Sequence, residues 1–62
     1  MKLKKFDVVE LKNNNRATIL EMKNNKYLAE IVDTNGITVD TRNINQEDIK
    51  QVIYTRHKMF KL

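Results

Sequence analysis

Side chains able to carry out chemistry are few in this 62-residue chain, and their spacing does not favour it. There is no serine and no cysteine. That removes a Ser-His-Asp arrangement, every thiol mechanism, disulfides and thiolate metal sites. The lone histidine, His57, lies among basic residues near the C-terminus. One imidazole does not make a zinc site, and His57 reads as a surface residue. A single glycine, Gly36, excludes a glycine-rich phosphate loop. The acids Glu47 and Asp48 precede Ile49 where a turn is expected, so capping accounts for them. So small a domain also has little room for a closed, water-excluding pocket. No catalytic residue, cofactor or metal is expected; the chain reads as a non-enzyme.

Charge and apolar surface remain. The net charge is +4, unevenly placed. Lys2, Lys4 and Lys5 give +3 to the first five residues, and Arg56, Lys58 and Lys61 give +3 to residues 56–62. Between them, residues 6–55 hold six basic and all eight acidic residues, for −2. Basic ends therefore flank a slightly acidic body. They serve either as solvated termini or as a patch for nucleic acid or another acidic partner. The hydrophobic fraction of 40% points to a small folded core rather than disorder. No apolar run approaches the roughly 20 residues of a membrane span. The opening "MKLKKF" lacks the apolar stretch of a signal peptide. With no cysteine, the expectation is a cytoplasmic protein with no membrane partner.

The elements that must position these residues are strands. "FDVVEL" (6–11), "ATILEMK" (17–23), "KYLAEIVD" (26–33) and "ITVDTR" (37–42) are rich in β-branched residues and alternate in polarity. Asn45, followed three residues later by Asp48, predicts one short helical turn before a last strand in "IKQVIYT". A helix from Asn45 to about Arg56 competes, since Ile49, Val52, Ile53 and Arg56 also fit a helical stripe. Asn24-Asn25 suits a tight hairpin, because asparagine tolerates positive φ. For the next hairpin two loops are open. With Asn35-Gly36 alone, Ile31 would face Asp40; with Thr34-Asn35-Gly36, Ile31 faces Val39, Ala29 faces Thr41 and Glu30 faces Asp40. The longer loop is favoured because its third residue must be left-handed, and glycine stands there. It sets two carboxylates, Glu30 and Asp40, opposite each other, which is mildly unfavourable.

Around Asn24-Asn25, Met22 is expected to face Tyr27, Leu20 to face Ala29 and Thr18 to face Ile31. Ile19, Leu28 and Val32 then share the opposite face. They are covered by strand bending, by the tail residues Met59, Phe60 and Leu62, or by another chain. These readings divide the chain into a basic segment 1–5, an all-β domain 6–55 and a basic tail 56–62.

The strings "DVVEL", "ATILEM", "YLAEIVDTNGITV" and "INQEDIKQV" resemble a family of uncharacterised small bacterial proteins with an SH3-like barrel. In that family a "DVV-L" opening precedes a "G-T-V-V" strand, a "Y-V-E-F" strand ending in "D-x-G" and a final "D-L…V". Ala17 stands where the family usually has glycine, and the first loop is shorter and richer in asparagine. The resemblance spans roughly residues 6–53. It implies a five-stranded SH3-like barrel with a short helical turn before the last strand, and no functional residues.

Three function classes follow, the third of them a purely structural or oligomeric unit with strand edges paired between copies. The first is a protein-interaction or accessory module, such as a regulator or inhibitor from a bacterium or mobile element. It would use Ile19, Leu28 and Val32 or open strand edges, which also permit homo-oligomers. The second is weak nucleic-acid binding by the joined termini. There Lys2, Lys4, Lys5, Arg56, Lys58 and Lys61 would meet phosphates, and Tyr54 or Phe60 would stack on bases.

Overall fold

Five residues with positive φ mark where the chain turns: Phe6 (72°), Asn14 (75°), Asn24 (50°), Asn25 (67°) and Gly36 (83°). The computed structural model describes residues 3–55. Between the turns run strands β1 (Val8–Leu11), β2 (Arg16–Lys23), β3 (Lys26–Val32), β4 (Thr38–Asn45) and β5 (Ile49–Tyr54). A 3-10 turn, Gln46–Asp48, separates β4 from β5. The competing helix from Asn45 does not form across the described residues, since Ile49–Tyr54 is strand. Asp48 Oδ2 accepts from the Asn45 amide at 2.9 Å, which satisfies the donor at the start of the turn.

The turn chemistry follows the residue types. Asn24 and Asn25 both take positive φ, as a two-residue hairpin loop requires. The β3–β4 loop is the three-residue Thr34-Asn35-Gly36. The Gly36 amide donates to Asp33 O at 3.0 Å, and the Asp33 amide donates to Ile37 O at 2.9 Å. The β1–β2 loop is built identically, with Asn14 in the place of Gly36. The Asn14 amide donates to Leu11 O at 2.9 Å, and the Leu11 amide donates to Asn15 O at 2.8 Å. Asparagine supplies the left-handed residue in one hairpin and glycine in the other.

Two bulges alter the pairing expected from the sequence. In β2 the extra residue is Leu20, so that Ile19 faces Ala29, Ala17 faces Ile31 and Thr18 faces Glu30, while Met22 still faces Tyr27. In β4 the extra residue is Val39. Thr38 pairs with Val32, but beyond it Asp40 faces Ile31, Thr41 faces Glu30 and Arg42 faces Ala29. The expected opposition of Glu30 and Asp40 is therefore incorrect: they lie on opposite faces. The loop has three residues, yet the bulge restores the pairing that a two-residue loop would have given.

The sheet is a single antiparallel layer in the order β4-β3-β2-β1-β5. Alternation makes the edge strands β4 and β5 run in the same direction. In a flat sheet the end of β4 and the start of β5 would lie at opposite ends, and about 19 Å apart sideways. The 3-10 turn between them rises only about 6 Å. The sheet must therefore coil and twist strongly, and bulges in β2, β4 and β5 are where such bending concentrates. No ladder joins β4 to β5, so the sheet stays open.

Coiling creates one core from a single layer. Val9, Leu11, Ala17, Ile19, Ala29, Ile31, Ile44 and Ile49 form it together with Leu3, which precedes the first strand. The segment 1–5 is thus not wholly separate from the domain. Each central cross-strand pair sets an isoleucine against an alanine, which leaves room for the opposite wall. Fully burying each isoleucine contributes about 2–3 kcal/mol. Among the described residues no helix is long and apolar enough to cross a membrane.

Candidate functional site

The first and last strands pair, which decides where the basic ends meet. Val8 faces Tyr54, and just before Val8 the chain makes a tight turn over Lys4–Asp7. The Asp7 amide donates to Lys4 O at 3.0 Å, with Phe6 left-handed inside the turn. For a bulky residue that conformation is uncommon and needs external support. Asp7 supplies it. Its carboxylate is buried, and both oxygens are engaged: Oδ2 accepts from the Lys4 amide at 2.9 Å and Oδ1 from the Thr55 hydroxyl at 2.9 Å. The turn is also laced to β2, since the Phe6 amide donates to Ile19 O at 2.6 Å and the Ile19 amide to Asp7 O at 2.9 Å. One buried carboxylate thus clips the start of the domain to the end of β5.

This clip presents a cationic and aromatic corner. Lys4 and Lys5 are exposed, and Lys5 Nζ lies 5.4 Å from the centre of the Phe6 ring. Phe6 is 41% exposed and Tyr54 40%. Charge reinforces the position. Residues 3–55 carry eight basic and eight acidic side chains, so the whole excess of +4 belongs to Lys2, Arg56, Lys58 and Lys61. In sequence, these four flank the two ends that Asp7 ties together. Lys4 and Lys5 sit in the turn that precedes Val8, the cross-strand partner of Tyr54, whereas Lys2, Arg56, Lys58, Phe60 and Lys61 lie outside the described residues, as do His57, Met59 and Leu62. Phe6 and Asp7 were not anticipated as parts of the site. The positive φ at Phe6 has no sequence signal, because the turn it occupies ordinarily takes glycine.

The apolar face expected on the other side is smaller than the sequence suggests. Ile19 belongs to the core and has no exposed surface, which corrects its expected place beside Leu28 and Val32. The reason is the Leu20 bulge, which turns Ile19 inward against Ala29. Leu28 and Val32 do lie on the outer face, both half-buried, with Glu30 between them. Their cross-strand neighbours are Glu21 and Asn43 for Leu28, and Arg16 and Thr38 for Val32. Polar side chains thus break this surface into single residues, as on an ordinary solvated sheet face.

The free edge of β4 is guarded. Pairing with Ala29 and Ile31 places Arg42 and Asp40 on the core-facing side of an edge strand. Their side chains remain about half exposed and pair with each other, Arg42 Nε to Asp40 Oδ2, at 3.5 Å. Such an exposed pair contributes only about 0–1 kcal/mol to stability. Inward charges and a bulge are, however, two of the devices that keep an edge from pairing with another sheet.

The described residues contain no group of three or more metal-ligating side chains. Comparison with protein-family models, with curated proteins and with solved structures finds no match to this chain.

Proposed function

We propose that this protein is a non-catalytic binding module, a small SH3-like barrel that takes single-stranded nucleic acid at the corner where its two ends meet. The barrel reading is supported by the strand order, the strong coiling and the 3-10 turn before β5. The observation that carries the functional reading is the opposition of Val8 and Tyr54. It gathers Lys4, Lys5, Phe6 and Tyr54, next in sequence to every residue of the charge excess. Cations beside exposed rings are what a flexible strand needs, with phosphates on lysines and bases on aromatic faces.

Fluorescence anisotropy with a labelled single-stranded RNA at low salt tests this. Binding of roughly 10⁻⁵ M is expected, in the range of non-specific contacts. For about five phosphates, log K should fall against log salt with a slope of about −3.5. Lys4→Ala with Lys5→Ala should weaken binding and flatten that slope. Failure to bind single strands, whether this RNA or oligo(dT), at tens of micromolar would refute the proposal.

A protein partner is the second reading, favoured by the β4 edge, where Ile37 is 60% and Val39 53% exposed. It ranks lower because Ile19 is committed to the core, and because Asp40, Arg42 and the bulge obstruct strand addition.

A further inference from the structure

The tip of the β2–β3 hairpin holds a charge arrangement that stability does not explain. Lys23 and Lys26 are direct cross-strand partners on either side of Asn24-Asn25. Like charges in that position repel, and an opposite pair is the stabilising choice. Among the described residues neither lysine has a carboxylate partner, since the ion pair found there is Asp40–Arg42.

A cleft of about 330 Å³ opens beside these lysines. Leu3, Met22, Tyr27 and the two turn asparagines line it. Met22 and Tyr27 face each other across the strands, and Met22 is 45% exposed. Tyr27 is packed against the core, and its hydroxyl donates to Gln46 Oε1 at 3.0 Å, so the ring is held in place. Leu3 is buried in the core and precedes Lys4 in the chain, so the cleft adjoins the basic corner.

We infer that this cleft is a nucleobase pocket. One base of a single strand leaves its stack and lies over the surface made by the Met22 thioether and the Tyr27 ring, neighbours on one face of the hairpin. Lys23 and Lys26 stand on the opposite face of the hairpin from Met22 and Tyr27. The flanking phosphates meet their long side chains around its tip, and the Asn24 and Asn25 amides lie within the same lining to meet the base edge. A polarisable thioether and an aromatic ring both suit a flat π-surface. The cleft is open to solvent, and its volume lies at the small end of ligand sites. Two unneutralised cations select an anionic ligand. The inference rests on the nucleic-acid reading and adds where a base is held.

The test compares oligo(dT), an abasic strand of the same length and inorganic polyphosphate on the full chain. The abasic strand should bind at least about tenfold more weakly, since it loses the bases held at the corner and at the cleft. Met22→Ala should weaken oligo(dT) binding several-fold and leave binding of the abasic strand unchanged. Lys26→Glu should weaken oligo(dT) binding by about tenfold while raising the melting temperature, because it turns a repelling pair into an attracting one. Lys12→Ala with Arg16→Ala, two cations removed from the other end of β2, is the control and should weaken binding much less. With Tyr54→Phe, Tyr27 becomes the sole tyrosine, and its emission should be quenched by oligo(dT). If oligo(dT) does not bind at all, the nucleic-acid reading fails and the pocket with it. If it binds but the abasic strand or polyphosphate binds equally well, or Lys26→Glu acts no differently from the control, the pocket alone is overturned.

Discussion

Replacing Gly36 isolates the cost of one backbone conformation. Its φ is +83°, and a methyl group built on its Cα would meet nothing within 4 Å. A Gly36→Ala change therefore introduces no clash, only an L-residue in left-handed space, at a cost of about 1–2 kcal/mol. Alanine also narrows the unfolded ensemble, which offsets about 0.4–1 kcal/mol. The net loss is about 1 kcal/mol, or a melting temperature lower by about 4–8 °C in a domain of this size. Gly36→Asn should cost less, since Asn14 already performs the same task in the sister loop. The decisive arm is D-alanine at position 36, accessible because the chain is short enough to synthesise. Positive φ is relaxed for a D-residue, so only the entropic term survives. Stability should then rise by about 0.4–1 kcal/mol. Thermal and urea unfolding read all three. If D-alanine destabilises as much as L-alanine, the penalty lies elsewhere and the account of this loop is wrong.

Ile19→Ala should cost about 2–5 kcal/mol by opening a cavity, while Leu28→Ala on the half-buried outer face should cost clearly less. Urea midpoints of the two variants check the face assignment, and equal losses would contradict it. Asp7→Ala should destabilise by about 1–3 kcal/mol, because it removes the buried acceptor of the Lys4 amide and the Thr55 hydroxyl. A double-mutant cycle with Thr55→Val should show coupling above about 0.5 kcal/mol, and strict additivity would mean that the clip is not formed. Asp40→Val combined with Arg42→Val should leave the monomer folded but drive concentration-dependent association through β4. Light scattering across a dilution series reads this, and a persistent monomer would show that the charges do not guard the edge.

How far the sequence could be read depended on whether a feature was local. The turn at Asn24-Asn25, the left-handed Gly36 and the cap of Asn45 by Asp48 each follow from side chains acting on their own backbone, and each was legible. The strands were legible from alternation, although β4 runs on to Asn45 rather than stopping near Arg42. The bulges at Leu20 and Val39 were not. A bulge is fixed by which residues meet the opposite wall of the coiled sheet, and nothing in "TILEM" or "TVDT" distinguishes a bulged strand from a straight one. Both misjudged surfaces trace to them: Ile19 moved into the core, and Asp40 moved away from Glu30. The pairing of Ile31 with Asp40 sets a carboxylate on the same face as the core. It is tolerated because β4 is an edge, where that carboxylate stays half in water beside Arg42. At the corner proposed as the site, the sequence points to Lys4, Lys5 and Tyr54 by charge and ring alone, while the role of Asp7 depended on Thr55, far away in the chain.

Because Asp7 holds Thr55 and Val8 lies beside Tyr54, the polypeptide enters and leaves the domain at one point. A tag or fusion added at either end would be joined to the chain on the side of the corner proposed for the ligand. A circular permutant, with the old ends spliced by a short linker and new ones opened between Asn13 and Asn14, would carry its handle away from that corner. Such a molecule would give the unobstructed form in which to measure what the protein retains.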